Sequence, residues 1–118
     1  MTGVRNVPSR LSRRSRYSVY VIELDARVWN HARFREANPE HDIAKPCVYV
    51  GMTGLPVERR FANHRRGYKS NPFVTKYGVR LLPALYRRLN PMKYELAKLT
   101  EVTLAQRLRA RGYAVWQA

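Results

Sequence analysis

Tyr17-Ser18-Val19-Tyr20-Val21-Ile22-Glu23-Leu24 is a run of aromatic and β-branched residues, and Cys47-Val48-Tyr49-Val50-Gly51-Met52 is a second such run. Residues of these types fit a pleated, half-buried surface, so both runs read as strands. They are close enough in sequence to form an antiparallel pair with an enlarged connection at about residues 25–46. That connection is polar and mixed, is broken at Asn38-Pro39 and Lys45-Pro46, and reads as a surface insertion with one short helix around Trp29 to Ala37. Beyond the second strand, Pro56 opens a helical pattern, as proline does at a first helical position. Val57, Arg60, Phe61 and His64 share one face of it, and Gly67 ends it. Phe73 to Tyr77 suits one helical turn and Gly78 to Leu82 a third strand. The longest helix spans roughly Pro91 to Arg111 and stops at Gly112. Tyr113 to Trp116 is long enough for a short terminal strand. The expected fold class is α+β, a small and mainly antiparallel three-stranded sheet flanked by helices.

The chain has 118 residues, which allows one domain with a modest core, here residues 17–118. Its 23 Lys+Arg against 8 Asp+Glu leave a net charge of +15, and such an excess on so small a body points to a polyanionic partner. Nucleic acid leads, because phosphates attract basic surfaces whatever the sequence. No membrane partner is expected, since no long apolar run and no basic amphipathic helix is visible. Residues 1–16 carry Arg5, Arg10, Arg13, Arg14 and Arg16 without a signal-peptide pattern, so a cytoplasmic location is expected. An organellar transit peptide shares this composition, and a flexible basic arm is the simpler account. Cys47 is the only cysteine and reads as a small buried residue.

Two ionisable residues interrupt apolar stripes. Tyr94, Ala97, Glu101, Leu104 and Leu108 share one face of the last helix, whereas Glu95 faces away with Lys98 and Val102. On the earlier helix Arg60 lies with Val57, Phe61 and His64, while Arg59 lines up with Asn63 and Arg66 on the wet side. A carboxylate in a buried stripe is costly unless it is paired, holds a metal or opens into a cleft. An Arg60–Glu101 ion pair that only fixes packing is the bland alternative to a functional site.

Ser18-Val19-Tyr20, then Tyr49-Val50-Gly51, then the phrase from Val57 to His64, then a distant helical Glu101 together resemble the GIY-YIG nuclease superfamily. The resemblance covers about Tyr17 to Gly112. It implies a metal-dependent endonuclease that hydrolyses DNA, with Tyr20, Tyr49, Arg60, Glu101 and His64 as site residues. Arg60 matches the family's catalytic arginine, since it directly precedes a bulky apolar residue. Glu101, with Leu104 three residues later, matches the glutamate that holds Mg2+ or Mn2+. Tyr20 matches the general base and Tyr49 the residue that orients water or phosphate. His64 stands where relatives often have a histidine, and a packing role is the alternative. Ser18 occupies the place of the first motif's leading glycine, and Met52 that of a frequent lysine.

Arg65, Arg66, Lys69, Lys76, Arg80, Arg87 and Arg88 form the expected nucleic-acid-binding surface, with Tyr68, Phe73, Tyr77 and Tyr86 interleaved, a place in the core being the equal alternative for the rings. Cations track phosphate while exposed rings stack on unpaired bases, which suits single-stranded or structured DNA ahead of RNA. No zinc module or recognition helix is evident, so a protein partner or a homodimer is a natural source of specificity. His31 and His41 lie in the polar connection and are expected to be exposed. A non-catalytic nucleic-acid-binding module on the same fold is the alternative function, and a basic structural protein of a ribonucleoprotein a third.

Overall fold

A computed structural model describes residues 16–118; the arm proposed for residues 1–16 therefore lies almost wholly outside the described residues. Strand β1 (Ser18–Leu24) and strand β2 (Cys47–Thr53) pair antiparallel, with Tyr20 opposite Gly51 and Ile22 opposite Tyr49. Strand β3 (Gly78–Leu81) pairs antiparallel with the other edge of β1. Strand β4 (Ala114–Gln117) runs parallel to β2, so the sheet has four strands in the order β3-β1-β2-β4. The α+β class stands, but the expected three-stranded antiparallel sheet is corrected to a mixed four-stranded one. The physical reason is the last helix, α4 (Tyr94–Ala110), which crosses one face of the sheet and returns the chain along β2. Parallel pairing needs such a crossover, and a short run of apolar residues does not announce its partner.

The turn out of α4 fixes where β4 begins. Gly112 has φ +96°, its N–H donates to Arg109 O, and the Tyr113 N–H donates to Leu108 O. This is the paired-bond helix ending that a residue in the left-handed region supports, and a Cβ at Gly112 would meet Asp42 Cβ at 2.8 Å.

Side-chain alternation divides the sheet. Tyr20, Ile22, Tyr49 and Trp116 lie on one face, and Val19, Val21, Val50 and Gln117 on the other. The first face is covered by α1 (Ala32–Glu36), α2 (Val57–Arg65) and α3 (Pro72–Tyr77), the second by α4 and the 3-10 turns Pro83–Leu85 and Arg87–Leu89. The connection between β1 and β2 is no mere surface insertion. Its Val28 and Phe34 are fully buried, and Phe34 stacks on Trp116 of β4. Asn38, 2% exposed, finishes the sheet's outer edge: its Oδ1 accepts from Val115 N at 2.6 Å and its Nδ2 donates to Val115 O at 3.1 Å. Asn90 does the same for β1, accepting from Val19 N at 2.9 Å and donating to Val19 O at 2.7 Å. Each amide satisfies two buried main-chain groups that would otherwise cost about 1–3 kcal/mol apiece.

His31 and His41 are half-buried rather than exposed. His31 bonds Tyr77 Oη at 2.7 Å, and His41 packs on Trp29 with ring centroids 4.8 Å apart. Among the described residues, no helix is long and apolar enough to cross a membrane.

Candidate active site

The phenol of Tyr20 lies across Gly51. A Cβ on Gly51 would stand 2.6 Å from Tyr20 Oη, 2.7 Å from its Cζ and 3.0 Å from a ring carbon of Tyr49. Only glycine leaves that floor free, so the second motif's glycine is explained by a close approach rather than by a turn. Tyr20, Tyr49 and His64 form a triangle of rings with centroids 6.2, 6.1 and 5.4 Å apart. Helix α2 supplies His64 from above, and the ring is fully buried.

The hydrogen bonds of His64 decide its tautomer. Its Nδ1 accepts the backbone N–H of Asn71 at 3.2 Å, and an amide can only donate, so Nδ1 carries no proton. The neutral ring therefore bears its proton on Nε2, which lies 2.9 Å from Tyr20 Oη and donates to it. Burial, seconded by the Arg60 charge, holds the ring's pKa down at about 4, so it is neutral at physiological pH. A histidine fixed this way cannot take the Tyr20 proton. It leaves that proton free to point elsewhere and gives a hydrogen bond to the oxygen that remains if the proton departs.

Burial raises both phenols above the ordinary tyrosine range. The Arg60 charge opposes this at each of them, and the Glu101 charge adds to it. Arg60 and Glu101 thus both lie within electrostatic reach of the two hydroxyls, although α2 and α4 sit on opposite faces of the sheet. The register shows how. Gln117 is opposite Val50, and past that point β2 has no strand on its outer side among the described residues. Glu101 of α4, held by the Gln117 side chain, therefore lies near the end of the sheet where β2 runs on past β4 into Gly51.

Arg60 is half-buried and donates to Lys69 O at 2.9 Å. Glu101 is 8% exposed, and among the described residues its carboxylate has one hydrogen-bond partner, the Gln117 side chain, which donates to Oε1 at 3.2 Å. The packing ion pair between Arg60 and Glu101 is not formed, and among the described residues no cation pairs with Glu101. Burial accordingly raises the Glu101 carboxyl above the usual range, with the Gln117 bond opposing.

Several sequence expectations change here. Asn63 is buried rather than on the wet side, its Oδ1 accepting from Arg66 at 2.6 Å. Tyr77 and Tyr86 belong to the core and cannot stack on bases, and Phe73 is wedged against Trp116 with centroids 5.0 Å apart. Tyr94 stays exposed and meets Tyr17 edge-on. Arg65, Arg66, Lys69, Lys76, Arg87 and Arg88 are exposed as expected; Arg80 is exposed too but ion-pairs with Glu23 at 2.7 Å. Tyr68 is the ring left in the open, beneath Lys69 Nζ. The sequence reading missed Asn71 and Gln117. Asn71 is legible as the residue that caps α3 before Pro72, but not as the donor that orients His64. Cys47 is buried, and that burial pushes its thiol up to about 11, so it is no nucleophile.

The oxygen donors of the candidate residues are hard: the Glu101 carboxylate and the Gln117 amide that bonds it, and the Tyr20 and Tyr49 phenols. Among the described residues no group of three His, Cys, Asp or Glu converges, and Glu101 is the candidate acidic ligand. That set fits a Mg2+-type ion, which keeps most of its waters and needs only one or two carboxylates. Comparison of the chain with protein-family models, with curated proteins and with solved structures finds no match.

Proposed function

We propose that the protein is a metal-dependent endonuclease of the GIY-YIG type, acting on DNA. The observation that carries this reading is Glu101: a buried carboxylate with no cationic partner among the described residues, whose charge acts on both phenols, as that of Arg60 does, in a protein of net charge +15. Structural carboxylates are normally paired, so an unpaired one in a polyanion-binding protein is supported as a ligand-binding group.

Glu101 is the residue that would hold Mg2+ or Mn2+, which when bound neutralises charge on the scissile phosphate as a Lewis acid. The chain's own residues do the rest. Arg60 presents a planar fork of donors to a phosphate oxygen, where negative charge grows as the phosphorus becomes five-coordinate. Tyr20 acts as general base once its own proton has been lost to solvent: the His64 Nε2–H stabilises the phenolate, which takes the proton of the attacking water and becomes a phenol again. Tyr49 hydrogen-bonds and orients the water or the phosphate. The buried setting strengthens each of these contacts relative to water.

The two neighbouring arginines of α2 separate catalysis from grip. Arg60→Ala is expected to lower single-turnover cleavage by about 10²–10³-fold at saturating enzyme, the cost of losing one transition-state contact. Arg59→Ala, on the exposed side, is expected to weaken binding and to leave the saturated rate within a few-fold. Equal loss of turnover in both variants would contradict the assignment of Arg60 to the reacting phosphate.

A further inference from the structure

A groove on the sheet face opposite the phenols has no role in the site described above. It has a volume of about 380 Å³ and runs between the 3-10 turns at residues 83–89 and the C-terminal half of α4. Arg88 enters from one wall, and Arg107 and Arg111 from the other. Leu85, Leu104 and Leu108 line it as well, the last two buried. No acidic residue lines it, and among the described residues none of the three guanidiniums is ion-paired. Arg107 and Arg111 stand at the C-terminal end of α4 and gain from the negative end of the helix dipole. Three like charges facing one cavity repel each other unless an anion lies between them.

We infer that this groove binds the phosphate backbone of a nucleic-acid strand, as a second contact separate from the hydrolytic edge. Guanidinium forks match phosphate oxygens, and leucines line the same groove as the three arginines. A polynucleotide is favoured over a free phosphate compound because the protein's net charge of +15 is spread over far more surface than a small anion covers. A strand held there as well as at the edge passes around α4, so the groove would favour long or bent substrates over short ones. The inference rests on the nucleic-acid half of the proposed function and not on hydrolysis.

The test is a binding measurement on the full chain, with Arg88→Gln, Arg107→Gln and Arg111→Gln combined. Glutamine removes the charge and keeps a polar side chain, and the melting temperature checks the fold. The control removes three exposed cations of the connection, Arg33, Arg35 and Lys45, so that both variants lose the same charge. Fluorescence anisotropy against a 40-nucleotide duplex, taken across a salt series, is expected to show the groove variant's log–log slope reduced by about 2–3, because each phosphate contact adds about 0.9. The control should change that slope by less than one. Equal slopes in the two variants would overturn the inference, whether or not the protein cleaves DNA. Saturable binding of ATP that the groove variant abolishes, with the DNA slope unchanged, would also overturn it in favour of a small-anion site.

Discussion

Replacing Glu101 with glutamine is expected to abolish cleavage, by about 10³-fold, and at the same time to make the protein more stable. The two effects have one cause. Burial raises the carboxyl's pKa, so ionising Glu101 opposes folding. The sign follows: stability is fully present below the unfolded glutamate pKa, near 4.5, and is lost as pH rises through the higher folded value. Glutamine keeps the shape without the charge. At pH 7 the variant should melt a few degrees higher, the size of change that about 1 kcal/mol gives in a domain of this length. At pH 4, where the wild-type carboxyl is mostly protonated, the advantage should shrink towards zero. Thermal unfolding at the two pH values measures it directly. A glutamine variant that melts lower at pH 7 would show that Glu101 is a stabilising structural acid.

Gly51→Ala is expected to cost about as much activity as removing the Tyr20 hydroxyl itself. The new methyl would stand 2.6 Å from Tyr20 Oη, with the ring packed and 1% exposed, so the phenol must move off His64. A displacement near 1 Å in a reacting group typically costs about 10²-fold in rate. Overpacking should also destabilise the fold, by about 1–3 kcal/mol. Tyr20→Phe separates the two contributions, since it keeps the ring on its glycine floor and removes only the hydroxyl. Both variants should lose cleavage comparably, with the larger loss of melting temperature in Gly51→Ala. Cleavage by Gly51→Ala at the wild-type rate would mean that the Tyr20 position does not matter to the chemistry.

The parts of this account that were readable from sequence are those set by local periodicity. The β1–β2 pair, the inward placement of Arg60 and His64 and the burial of Glu101 follow from the two- and 3.6-residue repeats, and the structure has them all. What escaped was set by distant partners. Asn38 reads as a chain breaker beside Pro39, yet its amide closes the edge of a strand 77 residues away. Asn63 falls on the wet side of an ideal helix, but after α2 the chain folds back, Tyr68 N donating to Asn63 O, and covers it. Tyr77 and Tyr86 sit among cations in sequence and among core side chains in space. The parallel β4 depends on where α4 returns the chain, which no residue of Ala114–Gln117 encodes alone. At the site, the rings were legible as residues. The open end of β2 past Gln117, near which α4 holds Glu101, was not, because it is a property of strand order.

The activity proposed for this site is hydrolysis of phosphodiester bonds with help from a divalent ion. The measurement that tests it most directly is cleavage of end-labelled single-stranded, duplex and branched DNA, and of RNA, by the wild-type protein with Mg2+, with Mn2+ and with chelator. The expected result is cutting of DNA that requires a divalent ion and is lost in Glu101→Gln. Tight binding of every substrate with no cutting under any of these conditions would contradict it and leave a nucleic-acid-binding module on the same fold.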